Sequence, residues 1–208
     1  MGALTLVVGG QKSGKSNLAV RRAVASGRPV VVVTPAVARD DEFAARVARH
    51  RADRPSDWET VETFDLAGAV RDVGSGSFVI IDALDTWLAE RMERSGVALD
   101  GAEPDHSALE QVTDAVLTEL GELASVVAAG RSDVVLIAGQ PGLGVHAGSP
   151  GSRAYVDLHG LSLQTLSDRA DEVLLVVAGR VLPLAHDRVQ SADGAVLERD
   201  HESRGMPL

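Results

Sequence analysis

Short apolar runs alternate with stretches of helical period along most of the chain. Leu4–Val8, Val30–Thr34, Phe78–Ile81, Val134–Ala138 and Val173–Val177 are rich in β-branched and aliphatic residues. Most of these runs are apolar at every position rather than every second one, as strands covered on both faces require. Between them, apolar residues recur three and four apart, the mark of helices that turn one face to a core. The longest such stripe is Leu109, Val112, Val116, Leu117, Leu120, Leu123 and Val127. Ser107 followed by Glu110 predicts a capping box at its start. Further helices are predicted after residue 16, ending near Gly27; from Asp40-Asp41-Glu42 to His50; and over Thr86–Arg94. Arg180–Leu184 predicts a short edge strand. This alternation predicts the α/β class, a single domain over residues 1–184 with a mostly parallel sheet flanked by helices. Residues 185–208 are polar apart from Gly194–Leu197 and are expected to form a poorly ordered tail.

The turn after the first apolar run carries chemistry. Gly9-Gly10-Gln11-Lys12-Ser13-Gly14-Lys15-Ser16 reads as Gly, four free residues, then Gly-Lys-Ser, between a strand and the helix-compatible Asn17–Ala23. That context predicts a phosphate-binding P-loop. The glycines let successive N–H groups turn toward phosphate oxygens, and the helix N-terminus adds partial positive charge. Lys15 is expected to bridge the outer phosphates of a nucleoside triphosphate, and Ser16 to offer its hydroxyl to Mg2+. A second long turn, Gly139–Gly151, is too rich in glycine and proline for regular structure and predicts a loop. In an open α/β sheet, a loop after a strand's C-terminal end lies where ligands bind.

Composition narrows the function classes. A net charge of −10 and a pI near 5.0 argue against nucleic-acid partners and anionic membranes. No cysteine is present, which removes disulfides, thiolate metal sites and cysteine nucleophiles. The first residues enter a strand directly, with no signal segment or span-length apolar run, so a cytoplasmic protein is expected.

Two further positions draw attention. Asp82 ends the run Phe78–Ile81, where an acid beside a P-loop can anchor Mg2+; helix capping is the alternative, and Asp85 competes for either role. His50 stands among Arg46, Arg49, Arg51 and Arg54. Such basicity suits a polyphosphate and keeps the imidazole neutral, so that it can attack an α-phosphorus; an exposed helix-end histidine is the other reading. His106, His146, His159, His186 and His201 show no metal-ligand spacing and read as solvated or structural, with His146 on the candidate substrate loop.

Taken together, Gly9–Ser16, Asp40-Asp41-Glu42-Phe43-Ala44-Ala45-Arg46-Val47, Arg49-His50-Arg51 and Arg54-Pro55-x-x-Trp58-x-Thr60-x-Glu62 follow at characteristic spacing. The set resembles the bifunctional adenosylcobinamide kinase / adenosylcobinamide-phosphate guanylyltransferase family of cobalamin biosynthesis. Asp82-Ala83-Leu84-Asp85-Thr86-Trp87-Leu88 and Ala170–Gly179 are similar to later motifs of that family. The resemblance implies a transferase that phosphorylates the aminopropanol hydroxyl of adenosylcobinamide from ATP or GTP. It then transfers GMP from GTP through a guanylylated histidine, matching His50. Nucleotide contacts are implied at Gly9, Gly10, Gln11, Lys12, Ser13, Gly14, Lys15, Ser16, Thr34, Pro35, Ala36, Arg51, Ala52, Asp53, Arg54, Glu62 and Asp82, with Mg2+ at Ser16 and Asp82. A homotrimer is implied as well.

The chain departs from the family pattern at Gly139-Gln140-Pro141-Gly142, where Asn-Glu-Val-Gly is usual, and at Leu161-Ser162-Leu163-Gln164, where Arg-x-Asn-Gln is usual. Two other readings stand beside this one: a divergent P-loop kinase of another small alcohol, and a nucleotide-binding regulatory protein without transfer chemistry.

Overall fold

A computed structural model of the chain describes residues 1–35, 55–100, 103–144 and 147–185. The helix expected from Asp40 to His50 and the expected tail from residue 186 onward lie outside the described residues. The strands are β1 (Leu4–Gly9), β2 (Val30–Thr34), β3 (Glu59–Glu62), β4 (Phe78–Asp82), β5 (Asp133–Ala138), β6 (Glu172–Val177) and β7 (Arg180–Leu184). The helices are α1 (Lys15–Ser26), α2 (Leu66–Asp72), α3 (Leu84–Arg94), α4 (His106–Ala129) and α5 (Pro150–Ser167).

One sheet runs in the order β3-β2-β4-β5-β1-β6-β7. Every neighbouring pair is parallel except β6 and β7. The unbroken apolar runs are explained by two cores, one on each face. Leu4, Leu6 and Val8 of β1 join a cluster with Val116 and Leu120 of α4 and Leu158 of α5. Val7 points the other way, into a cluster with Leu18, Ala19 and Ala23 of α1. Burying a Val, Leu or Ile side chain contributes about 1.5–3 kcal/mol, so each such strand is favoured only with helices on both sides. At its far end α1 stops at Gly27, in the left-handed conformation at φ 63°, as expected of a helix terminator.

The structure departs from the sequence reading at several elements. β3 was not anticipated: Glu-Thr-Val-Glu holds one aliphatic residue, and its strand character comes from the ladder with β2, Val31↔Glu59 through Thr34↔Glu62. The short helix α2 was likewise not anticipated; Asp65 caps it by accepting from Gly68 N at 2.7 Å. The capping box at Ser107 does not form. Asp105 accepts from Ala108 N at 2.9 Å and starts α4 at His106, so Ser107 is already inside the first turn and accepts from Gln111 Nε2 at 3.1 Å. Finally, the loop expected over 139–151 is shorter. It holds a 3-10 turn at Pro141–Leu143 and yields Pro150 and Gly151 to α5. Ser149 caps that helix through Ser152 N at 3.0 Å, and proline is well suited to a first position where no N–H partner is needed.

Because β1 to β6 all run the same way, their C-terminal ends meet along one edge. Register places Gly9 beside Val176, Val8 beside Ala138, Asp82 beside Ile137 and Thr34 beside Glu62. Loops leaving that edge are where α/β sheets collect ligands.

Candidate active site

The P-loop is built between the end of β1 and the start of α1. Ser13 N donates to Gly10 O at 3.2 Å, closing the turn, and Leu18 N donates to Gly14 O at 3.0 Å, opening the helix. Gly14 takes φ 107°, a conformation that L side chains rarely adopt and that glycine enters freely. No side chain caps the N-terminus of α1. Its first-turn N–H groups therefore face the loop, together with the positive end of the helix dipole. Lys15 curls back, its Nζ donating to Gly9 O at 2.7 Å and Gly10 O at 2.8 Å. Burial holds the Lys15 ammonium below the ordinary lysine value, while the carboxylates of Asp85, first, and Asp82 draw it back up.

The turn between β6 and β7 closes on this loop from the other side. Ala178 and Gly179 take φ 49° and 74°, the primed hairpin geometry, and Gly179 N donates to Ser13 O at 2.9 Å.

Asp85 sits in the first turn of α3, since that helix starts at Leu84 rather than Thr86. Both its carboxylate oxygens accept from Gly139 N at 2.9 Å, and Oδ1 lies 2.7 Å from His159 Nε2. His159 is only 1% exposed, whereas the Asp85 side chain is 36% exposed. Tyr155, one turn before His159 on α5, donates to the Asp85 carbonyl at 3.3 Å. Burial, with Asp85 nearby, pushes its phenol well above the usual range.

The structure brings Gly9–Ser16, Thr34, Pro35, Glu62 and Asp82 to the same edge of the sheet. A cleft of about 470 Å3 along the β3 side, lined by Trp58, Val61 and Gly68 among others, includes none of residues 9–16; the chemistry at the loop, not volume, selects the site. A model of the family "Cobinamide kinase / cobinamide phosphate guanyltransferase", CobU, matches residues 5–184. The chain belongs to the CobU family. It is 36% identical over 181 residues to the bifunctional adenosylcobalamin biosynthesis protein CobP of Pseudomonas aeruginosa, covering 86% of this chain and 95% of that one. To the bifunctional adenosylcobalamin biosynthesis protein CobU of Escherichia coli it is 32% identical over 181 residues, covering 85% and 96%. A solved structure from Pyrococcus horikoshii OT3 overlaps it at a TM-score of 0.48 with 10% identity, covering 87% of this chain and 85% of that one.

Within this CobU-family chain, Ala36, His50, Arg51, Ala52, Asp53 and Arg54 lie outside the described residues. What sequence reasoning missed is the cluster of Asp85, Gly139, Tyr155 and His159. Of the two readings of His159, solvated or structural, the structural one holds: its buried ring bonds Asp85. The available signal was slight: a tyrosine and a histidine one helical turn apart, and a glycine directly after a strand.

Magnesium fits the donors present. Ser16 and Asp82 place a hydroxyl and a carboxylate on one edge of the sheet, the hard oxygen type that Mg2+ takes. Among the described residues, no group of three or more His, Cys, Asp or Glu could form an all-protein metal cage. One or two protein oxygens plus phosphates is the usual Mg2+ arrangement at such a site. Also among the described residues, no helix is long and apolar enough to cross a membrane.

Proposed function

We propose that the chain is a bifunctional transferase that first phosphorylates the aminopropanol hydroxyl of adenosylcobinamide and then attaches GMP to the new phosphate. The P-loop, with Lys15 bent over its carbonyls and two carboxylates acting on that lysine, is the observation that carries the reading in a CobU-family chain. Loop N–H groups and Lys15 hold the β- and γ-phosphates of ATP or GTP. Thr34, Pro35 and Glu62, at the ends of β2 and β3, face the nucleotide from the next strands. Ser16 and Asp82 hold Mg2+, which when bound neutralises charge on the transferring phosphoryl group.

In the second step a His50 ring nitrogen attacks the α-phosphorus of GTP and pyrophosphate leaves. The phosphate of the acceptor then attacks the guanylyl group, forming the diphosphate of adenosylcobinamide-GDP and freeing His50. Arg51, Ala52, Asp53 and Arg54 lie beside that histidine in sequence, and the arginines match the charge of a triphosphate. The working unit is a homotrimer in the cytoplasm.

Intact-protein mass after incubation with GTP and Mg2+ tests the second step. The wild type should gain one acid-labile GMP, and His50→Ala should gain none. An adduct on both, or on neither while GTP binds, defeats the histidine assignment. Phosphate transfer from ATP to adenosylcobinamide, read by product mass, tests the first.

A further inference from the structure

Phosphoryl transfer to an alcohol requires the hydroxyl proton to go somewhere. The P-loop supplies positive charge and N–H donors, none of which accepts a proton. Of the two carboxylates acting on Lys15, Asp82 is committed to the magnesium role, and Asp85 has the larger influence on that ammonium. Its place in the fold is beside the loop: Gly139, whose N–H it accepts, directly follows Ala138, and Ala138 pairs with Val8, the residue before Gly9. Among the described residues, Oδ1 is occupied by Gly139 N–H and the His159 ring, and Oδ2 accepts only from Gly139. Oδ2 therefore keeps a lone pair, and about a third of the side chain is open, 36% against 1% for His159. A buried imidazole aimed at one oxygen of an open carboxylate fixes the direction in which the other oxygen points. Tyr155, bonded to the Asp85 carbonyl, braces the same turn.

We propose that Asp85 is the general base of the kinase step, and that His159 and the Gly139 N–H are its positioning groups. This rests on the kinase reading given above. The step balances: the acceptor hydroxyl gives its proton to Asp85 Oδ2 as its oxygen bonds to the γ-phosphorus. The bond from that phosphorus to the β,γ-bridging oxygen breaks, the nucleoside diphosphate leaves, and Asp85 later returns the proton to water. Guanylylation of a neutral histidine involves no hydroxyl, so the second activity does not draw on Asp85 in this way. General bases contribute about 10²–10⁴-fold.

The test compares wild type, Asp85→Asn, His159→Gln and His159→Leu in two assays, phosphorylation of adenosylcobinamide by ATP with Mg2+, and GMP loading from GTP. For Asp85→Asn the expected result is a kcat for phosphorylation at least about 100-fold down, with KM for ATP within threefold. GMP loading should fall far less than the kinase rate. His159→Gln, which keeps a donor toward Asp85, should retain most of the kinase kcat, and His159→Leu should lose about tenfold or more. This pair carries the test if Asp85→Asn does not fold. Equal losses in both assays would make Asp85 a structural tie and overturn the proposal, as would a kinase rate within threefold of wild type. A wild type that phosphorylates nothing overturns the kinase reading itself, and this proposal with it. An active wild type beside an equally active Asp85→Asn overturns this proposal alone.

Discussion

A single methyl group at Gly139 probes the carboxylate cluster. A Cβ there would stand 2.7 Å from Asp85 Oδ1 and 3.2 Å from its Cγ and Oδ2. The first distance is closer than a carbon and an oxygen that are not bonded to each other can sit. In Gly139→Ala the carboxylate must swing away and release both the Gly139 N–H and the His159 ring. Hydrogen bonds to charged groups contribute about 1.5–3 kcal/mol each, and an unpaired buried group costs about 1–3 kcal/mol. Asp85 is open enough for water to recover part of its share, but His159 is not. The loss should therefore be about 2–4 kcal/mol. For a chain of this size that lowers Tm by about 4–16 °C. Urea unfolding followed by tryptophan fluorescence should show a lower midpoint at unchanged m. The decisive comparison is a double-mutant cycle. In an Asp85→Ala background the new methyl meets no carboxylate, so Gly139→Ala should there cost under about 0.5 kcal/mol, within the error of additivity. The same cost in both backgrounds, or a negligible one in the wild type, would refute the cluster as described.

Tyr155 is the only tyrosine in the chain, so its ionisation can be followed by absorbance without interference. Its phenol is held above the ordinary value of about 10, so the folded state keeps the proton longer than the unfolded state. Stability from this group is complete below pH about 10 and declines as pH rises past it; Tyr155→Phe should flatten that alkaline loss, and a reversible titration near 10 in folded protein would contradict it. Lys15→Met should abolish phosphoryl transfer and weaken triphosphate binding, with Tm unchanged or raised because burial already disfavours the ammonium; a marked drop in Tm would show that the lysine mainly supports the fold. Asp105→Ala should cost about 1 kcal/mol and Ser107→Ala much less, since only the former caps α4; thermal melts giving the reverse order would restore the capping box.

The P-loop and five of the six parallel strands of the described sheet were legible because each is written locally. Gly-Lys-Ser after an apolar run needs no distant partner to be understood, and neither does a fully apolar pentapeptide. The edge strand β7 was legible too, since Arg180–Leu184 follows a glycine turn. β3 was not, because Glu59 and Glu62 become strand only through pairing with β2. The Asp85 cluster was hidden for a related reason. Its members come from the first turn of α3, the residue after β5 and the middle of α5, positions 85, 139 and 159. Nothing near His159 in sequence announces an acid, and Asp85 alone cannot be told from a helix-terminal carboxylate. Their meeting is a product of strand order, with β5 lying between β4 and β1.

The bond from Gly179 to Ser13 also has a consequence for synthesis. The phosphate loop leaves the ribosome before β5 and β6, so β1 must wait for the strands on either side of it, and the clasp comes about 170 residues after Gly9. At about 5–20 residues per second, that delay is roughly 10–30 s. For most of it the loop lacks its neighbouring strands, and throughout it lacks the turn that seats it. Nucleotide is therefore expected to stabilise only a chain made through β6 and the turn after it, rather than to act as a template for early folding. A ribosome stalled before residue 179 should hold a nascent chain that retains no ATP or GTP, even though every residue of the phosphate-binding motif has long been made.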